Sequence, residues 1–377
     1  MDTWTLPLSQ IVIVNYEKFG RAPKNDQLVK EILKRKFDMV ILDEAHYIKN
    51  RNSATTKHIM KLNKIPHRLV MTGTPAYNKA VDLFPLLRFL KPGMYTSYWN
   101  WLNKWFEFEK TWTPHGMVYT PVTVQKCLRY AFAKELSSIG IQRKRKDVMD
   151  WARDPDIIDI PLPCTKTQIK YLDSLETLYK VEDVYCQGTL DRLTAHRQIC
   201  DNPSILSDKL KDESPKTDWL IDFIRNNPQK RLLVFGIFKR NLTKVEEAIN
   251  NYFKSEVTCA KITGDTHPKQ RAALVEDYQS GKLNVLLLQT HACAAGLTLD
   301  AADTTVFLEL YPPAADYLQA KDRMVPTKPE TVKPQEVYRL YMKDTFDEVG
   351  VAMVDGNVSA TDVIANYKKY LLRRYNE

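Results

Sequence analysis

Short apolar runs alternate with amphipathic stretches along most of the chain. In its first third, the apolar runs lie at 11–16, 37–43 and 67–72, and the stretches with helical spacing lie at 25–36, 52–63 and 79–90. Strands of a parallel sheet are buried on both faces and therefore read as nearly continuous apolar runs. The pattern predicts a parallel sheet covered by helices.

A second series with the same alternation follows. Helices are predicted at 166–186, 189–200 and 215–227, and strands at 231–238, 257–264, 284–289 and 304–310. The segment between the two series, 142–163, combines a basic run with Asp and Pro residues, which is typical of a linker. We therefore predict an α/β protein with lobes at 1–141 and 164–377, joined by a linker at 142–163.

The first lobe contains an aromatic-rich stretch at about 91–140, which we interpret as a small helical insert. It holds four tryptophans, Trp99, Trp101, Trp105 and Trp112. Such a cluster forms a local core or, in the sharper alternative, a platform on which bases stack.

Bulk composition narrows the class of protein. The chain has 377 residues and 55 Lys and Arg against 46 Asp and Glu, a net charge of +9 that suits either a nucleic acid partner or a merely basic surface. Six scattered cysteines without a C-x-x-C pair indicate reduced thiols. No apolar run approaches the roughly 20 residues of a membrane helix. We expect a protein of the cell interior, in the cytoplasm or nucleoid, without a membrane partner.

Two adjacent carboxylates follow a predicted buried strand, because FDMVIL runs directly into Asp43-Glu44-Ala45-His46. Carboxylates at such a position suit metal-assisted phosphoryl transfer: one holds Mg²⁺ through water and the next polarises the attacking water. The alternative is an acidic turn that caps the helix starting near Asn52.

The next strand ends in the turn Thr72-Gly73-Thr74-Pro75. Small hydroxyl residues around a glycine can pass hydrogen bonds between a nucleotide site and a nucleic acid groove, although any strand-to-helix turn can have this composition. Because α/β proteins place their chemistry at the carboxyl ends of strands, we interpret this turn together with the DEAH turn.

These segments resemble, in order, the motifs of superfamily 2 helicase-like ATPases of the Swi/Snf type. DEAH and TGTP resemble motifs II and III, and IVIVNYEKF (11–19) resembles motif Ib. The further matches are IQRKRKDVMD (141–150), CTKTQIKYLDSL (164–175), HRQICDNPSIL (196–206), SPKTDWLIDFI (214–224), RLLVFGIFKR (231–240, motif IV), QTHACAAGLTLD (289–300, motif V) and PPAADYLQAKDRM (312–324, motif VI). The resemblance covers nearly the whole chain.

The resemblance implies a compact member of bacterial or viral type with two RecA-like lobes, the N-terminal one incomplete, that bind ATP and Mg²⁺ between them. In it Asp43 holds Mg²⁺, Glu44 activates water, and Gln319 and Arg323 sense the γ-phosphate. His46 and Gly296 are further candidates for contact with the nucleotide. The candidates for contact with nucleic acid are Asn15, Tyr16, Thr72, Thr74, Lys239, Thr290 and His291.

The implied partner is duplex DNA, held by sequence-independent backbone contacts. Family tasks include remodelling of protein–DNA complexes, annealing and recombination. Bland alternatives remain for single residues: Thr290 as a strand-end cap, Arg323 in a surface salt bridge, and the basic run 143–146 as a solvated face.

Three departures from the family pattern bear on catalysis. None of the 12 glycines belongs to a phosphate-binding G-x-x-x-x-G-K-[ST] loop. In motif VI the position of the arginine finger is Pro326, which supplies neither charge nor an N–H donor. Motif V has Cys293 and Ala294 where glycines are usual.

Two hypotheses follow from this balance. In the first, the chain is an ATP-dependent DNA translocase whose phosphate loop lies on an upstream segment or on another chain, so that this chain alone does not hydrolyse ATP. In the second, it is a non-hydrolysing DNA-binding or scaffold protein derived from the same fold. Asp43 and Glu44 favour the first hypothesis, and Pro326 favours the second.

Overall fold

The computed structural model describes residues 10–20, 24–73, 80–113, 116–143, 145–149, 151, 153–293, 297–310, 314–326 and 332–356. The chain divides into two compact units, 1–142 and 143–377. Among the described residues, no helix combines the length and the apolar character needed to cross a membrane.

The first unit is built on a two-stranded parallel sheet. Its strands are β1 (Met39–Leu42) and β2 (His67–Val70), paired in register, and the helices beside them are α1 (Lys24–Lys34) and α2 (Ala54–Met60). Buried residues of both helices pack against Leu42. Ser53 begins α2 by accepting a hydrogen bond from the backbone N–H of Thr56.

The predicted strand at 11–16 is wrong. Residues 12–15 are extended without a strand partner, and a 3₁₀ turn follows at Tyr16–Phe19. Ile11 and Ile13 are 79% and 91% exposed, so their apolar side chains do not mark a buried strand here.

The aromatic insert is only partly helical, which corrects the prediction of a helical insert. Its elements are α3 (Leu83–Leu90), α4 (Tyr98–Trp105), the antiparallel hairpin of β3 (Phe106–Thr113) and β4 (Gly116–Val124), and α5 (Arg129–Ser137). Trp101 and Trp105 are buried against Phe132 and form the predicted local core. Trp99 and Trp112 are exposed and lie outside it.

The second unit contains a six-stranded parallel sheet in the order β5-β12-β11-β8-β10-β9. Its strands are β5 (Asp156–Leu162), β8 (Leu232–Gly236), β9 (Cys259–Ile262), β10 (Val285–Gln289), β11 (Thr304–Phe307) and β12 (Glu336–Met342). The prediction of a linker up to residue 163 is therefore wrong in its second half, because β5 pairs with β12 over seven residues. Neither edge-side strand was predicted.

Helices flank this sheet. They are α6 (Arg145–Val148), α7 (Lys166–Leu178), α8 (Thr189–Asp201), α9 (Pro215–Asn226), α10 (Lys239–Phe253), α11 (Pro268–Gln279), α12 (Thr290–Cys293), α13 (Ala314–Lys321) and α14 (Asp347–Val354). The helix predicted at 166–186 ends early, because Tyr179 adopts a left-handed conformation and a small hairpin of β6 (Lys180–Val181) and β7 (Val184–Tyr185) follows.

A buried ion cluster joins three helices of the second unit. Lys216 of α9 is 1% exposed, and its Nζ lies 2.7 Å from Asp201 Oδ1 in α8 and 2.6 Å from Asp347 Oδ2 in α14. Burial alone would lower the pKa of Lys216, but the two carboxylates raise it, so the ammonium stays charged. Burial, and then the charge of Glu309, raise the pKa of Asp201.

Replacing this lysine tests the cluster. Lys216→Met leaves two buried carboxylates without their cation, so we expect a loss of about 3–5 kcal/mol in the free energy of unfolding, measured by chemical denaturation. Lys211→Met is the matched control, because Lys211 is exposed and pairs with Glu213 at the surface. Equal unfolding midpoints for both variants would contradict the structural role of the cluster.

Candidate functional site

The DEAH turn is fixed at the carboxyl edge of the first sheet. Parallel pairing continues past the strands, since the N–H of Met71 donates to Leu42 O (2.8 Å) and the N–H of Ala45 donates to Met71 O (2.9 Å). Between these bonds Glu44 adopts a left-handed conformation (φ 46°, ψ 48°), which costs a non-glycine residue about 1–2 kcal/mol. Asp43 Oδ1 accepts a bond from the N–H of Glu44 (2.9 Å).

Tyr16 supports this turn from the side. Its hydroxyl donates to the main-chain oxygen of Asp43 (2.7 Å), and its ring lies 5.3 Å from that of Tyr47. Burial, and then the charges of Asp43 and Glu44, raise the pKa of Tyr16, so its O–H remains a donor. This residue, predicted for nucleic acid contact, has a supporting contact instead, while Asn15 is exposed beside it.

His46 lies over the second carboxylate. Its Nδ1 is 3.2 Å from Glu44 Oε2, although the pair does not have hydrogen-bond geometry, and its ring stacks on Tyr47 at 4.6 Å. The side chain of Asp43 is exposed beyond β1, which suits a carboxylate that holds Mg²⁺ through water, because Mg²⁺ usually keeps several waters. No group of three or more potential metal ligands exists among the described residues.

The TGTP turn begins beside the DEAH turn. Thr72 directly follows Met71, the residue whose backbone holds the start of the DEAH turn, and it is half-buried. Motifs II and III therefore meet through main-chain hydrogen bonds, as the shared edge of parallel strands predicts. Thr74 lies outside the described residues.

The second unit gathers several predicted residues at the carboxyl ends of β8 and β10. Thr290 is buried and its hydroxyl donates to Gly236 O (3.3 Å), and Gln289 Nε2 donates to Ile237 O (3.3 Å). For Thr290 this is the strand-end capping alternative. A Cβ at Gly236 would lie 2.7 Å from the Leu242 side chain, so only glycine fits.

Glu309 is a residue of this edge that the sequence did not reveal. Its buried carboxylate accepts bonds from the N–H of Ile237 (2.7 Å) and from Asn241 Nδ2 (3.1 Å). These bonds fix the turn from which α10 starts at Lys239. The signal in the sequence is a single charge one residue beyond an apolar strand, which does not by itself indicate burial.

The polar residues at the surface of this edge are paired with carboxylates. Lys239 Nζ lies 2.7 Å from both oxygens of Asp265, and His291 Nδ1 lies 2.9 Å from Asp316 Oδ2. Lys239 and His291 remain accessible, with side chains that are 46% and 85% exposed. They can therefore meet a phosphate if they exchange one acidic partner for another.

The motif VI residues lie on and after α13. Gln319 is half-buried on the helix, and Arg323 Nη1 donates to Leu297 O (3.2 Å) while its own carbonyl accepts from the N–H of Leu299 (3.0 Å). Arg323 thus ties motif VI to the end of motif V, rather than forming the alternative surface salt bridge. Pro326 is buried, and Gly296 lies outside the described residues.

The chain belongs to the SNF2-related domain family. The model of the SNF2-related domain matches residues 5–205, and the model of the helicase conserved C-terminal domain matches residues 215–325. Both matches agree with the order of motifs along the chain.

Individual relatives are distant. The TATA-binding protein-associated factor mot1 of Schizosaccharomyces pombe is 26% identical over 94% of this chain and 21% of its own length. The DNA annealing helicase and endonuclease ZRANB3 of Mus musculus is 23% identical over 99% of this chain and 34% of its own length. The chain thus spans well under half of each of these relatives.

Among solved structures, the Sulfolobus solfataricus SWI2/SNF2 ATPase core in complex with dsDNA is similar to the chain. It is 19% identical, with a TM-score of 0.45, over 93% of this chain and 74% of that one.

Thr290 can be assigned to capping or to DNA contact by experiment. Thr290→Val removes a buried donor to Gly236 O, so we expect the free energy of unfolding to fall by about 1 kcal/mol. Thr290→Ser keeps the hydroxyl and is the control. If the Val variant instead keeps its stability and binds duplex DNA tenfold more weakly in fluorescence anisotropy, the hydroxyl contacts DNA rather than the strand.

Proposed function

We propose that this chain provides the DEAH carboxylates and the second lobe of an ATP-driven translocase that acts on duplex DNA. The observation that carries the proposal is the DEAH turn itself. Its exposed Asp43 and strained Glu44 are held in place by bonds from the neighbouring strand end and from Tyr16. Strained, well-supported turns of this kind cluster at functional sites.

In this function each carboxylate has its own role. Asp43 would hold Mg²⁺ through water, and Glu44, beside His46, would orient and polarise the attacking water. Gln319 and Arg323 would sense the γ-phosphate from the second lobe. Bound Mg²⁺ would neutralise the charge of the phosphates during transfer.

The distribution of charge favours nucleic acid as the partner of the first unit. Residues 1–142 contain 21 Lys and Arg against 11 Asp and Glu, whereas residues 143–377 contain 34 against 35. Between Glu44 and Asp82 there are seven Lys and Arg and no carboxylate. A surface this rich in cations attracts a polyanion through sequence-independent contacts.

The phosphate loop must come from outside these 377 residues, because none of their glycines belongs to one. We therefore propose that the chain alone does not turn over ATP. The competing function, a non-hydrolysing DNA-binding protein, is favoured by Pro326 at the finger position and by Arg323, whose guanidinium is engaged with Leu297 O.

Lysines 57, 61 and 64 test the DNA surface. They are exposed on one face of α2 and the 3₁₀ turn that follows it, opposite buried Ile59 and Leu62. Changing all three to Gln should weaken binding to random-sequence duplex DNA at least tenfold. It should also reduce the slope of log Kd against log salt by about 2–3, as expected for lost phosphate contacts.

The matched control changes three exposed lysines of the second unit, Lys166, Lys254 and Lys343, to Gln. This variant has the same change in net charge. Equal weakening by both triple variants, or no weakening by the first, would argue against DNA binding through the first unit.

The requirement for an external phosphate loop is tested by ATPase assays on the chain alone, with and without duplex DNA. We expect no turnover above that of an Asp43→Asn/Glu44→Gln variant, because nothing in the chain cradles the phosphates. Turnover that DNA stimulates and that this double variant abolishes would show that the chain is complete in itself.

A further inference from the structure

The sheet of the first unit has one bare face. Val40, Leu42 and Val70 face the core beneath α1 and α2. The alternate residues point the other way, and they are large, apolar and exposed: Met39 (48%), Ile41 (53%), Leu69 (40%) and Met71 (42%). Ile41 pairs directly with Leu69, so these four side chains form one continuous patch, which we call the bare face.

The second unit shows what parallel strands of this composition normally bury. Every residue of β8 and β11 and four of the five in β10 are buried. Parallel sheets are covered on both faces in nearly all proteins, and contiguous exposed apolar surface marks a site of interaction. The bare face is therefore a surface with a missing partner, not an ordinary exterior.

The edges of the sheet are incomplete as well. Among the described residues, β1 pairs only with β2. An edge strand offers unpaired N–H and C=O groups to which another chain can add a strand. A strand added parallel to β1 on its other side would end at the same edge as β1, and the loop after that strand would then lie beside Asp43 and Glu44.

We propose that a separate polypeptide completes this sheet: it adds at least one strand parallel to β1, covers the bare face with a helix, and carries a phosphate-binding loop. The inference rests on the proposed function. The loop identifies the occupant, since the carboxylates need a phosphate cradle at this edge and the chain contains none. The apolar patch provides the affinity that a non-covalent complement needs.

The experiment uses the whole chain and the polypeptide encoded immediately upstream of its first codon in the source DNA. We expect that DNA to encode a separate open reading frame with a G-x-x-x-x-G-K-[ST] loop. The two polypeptides, co-expressed and purified, should form a 1:1 complex by sedimentation. The variant Ile41→Asp/Leu69→Asp should weaken this complex at least tenfold, because it places two charges in an apolar contact.

The control is Trp112→Asp/Val122→Asp, which places the same charges on the exposed hairpin and should leave the complex unchanged. Thermal unfolding of each variant alone identifies any loss of affinity that comes from misfolding. DNA-stimulated ATPase activity of the complex is a separate readout that tests the proposed function.

Each other outcome contradicts one specific claim. A complex that Ile41→Asp/Leu69→Asp does not weaken overturns the bare face as the docking surface but leaves the proposed function intact. Self-association of the chain that this variant abolishes means that a second copy covers the face. Activity only when the two polypeptides are fused, or an upstream sequence without a phosphate loop, overturns the separate polypeptide. A correctly docked complex without ATPase activity overturns the proposed function alone.

Discussion

A fully buried lysine constrains the second unit more than any other interaction in it. Removing Lys216, Asp201 and Asp347 from water costs several kcal/mol for each ion, and their mutual attraction offsets this cost only at short distances. The helices α8, α9 and α14 therefore cannot shift separately. Because Glu309 is electrostatically coupled to Asp201 and binds the N–H of Ile237, the constraint extends to the edge where α10 begins. The motif IV residues thus stand on a rigid support.

The two units differ in how completely their sheets are covered, and this difference affects where strain is held. The second sheet buries its central strands on both faces, whereas the first buries only one face of two strands. Nevertheless the strained residue, Glu44, lies on the first sheet. The bonds that hold it come from Met71 and Tyr16, which are close in space but belong to separate segments of the chain. A partner on the bare face would contact Met71 and so stabilise the turn further.

Sequence patterns predicted the central strands well and the edges poorly, for a physical reason. Strands β8, β10 and β11 are buried on both faces, so they read as apolar runs, whereas β5 contains Asp and Pro and alternates in exposure, and so resembles a linker. An apolar run at 11–16 predicted a strand that has no partner. The DEAH and TGTP turns were predictable because they follow apolar strands. Lys216 was not, although it is spaced four and eight residues from buried Leu220 and Ile224 on the apolar face of α9.

Charge is divided between the units in a way that matters for a translocase. The first unit carries nearly all of the positive excess, while exposed cations of the second unit are paired with carboxylates, as in Lys239 with Asp265 and Arg240 with Asp208. A phosphate that binds Lys239 must displace a carboxylate of similar charge, so the net gain in free energy is small. The first unit would then hold DNA continuously and the second only weakly. A motor advances when one lobe can release the track while the other keeps hold of it, and this division of charge meets that requirement without any large change in either lobe.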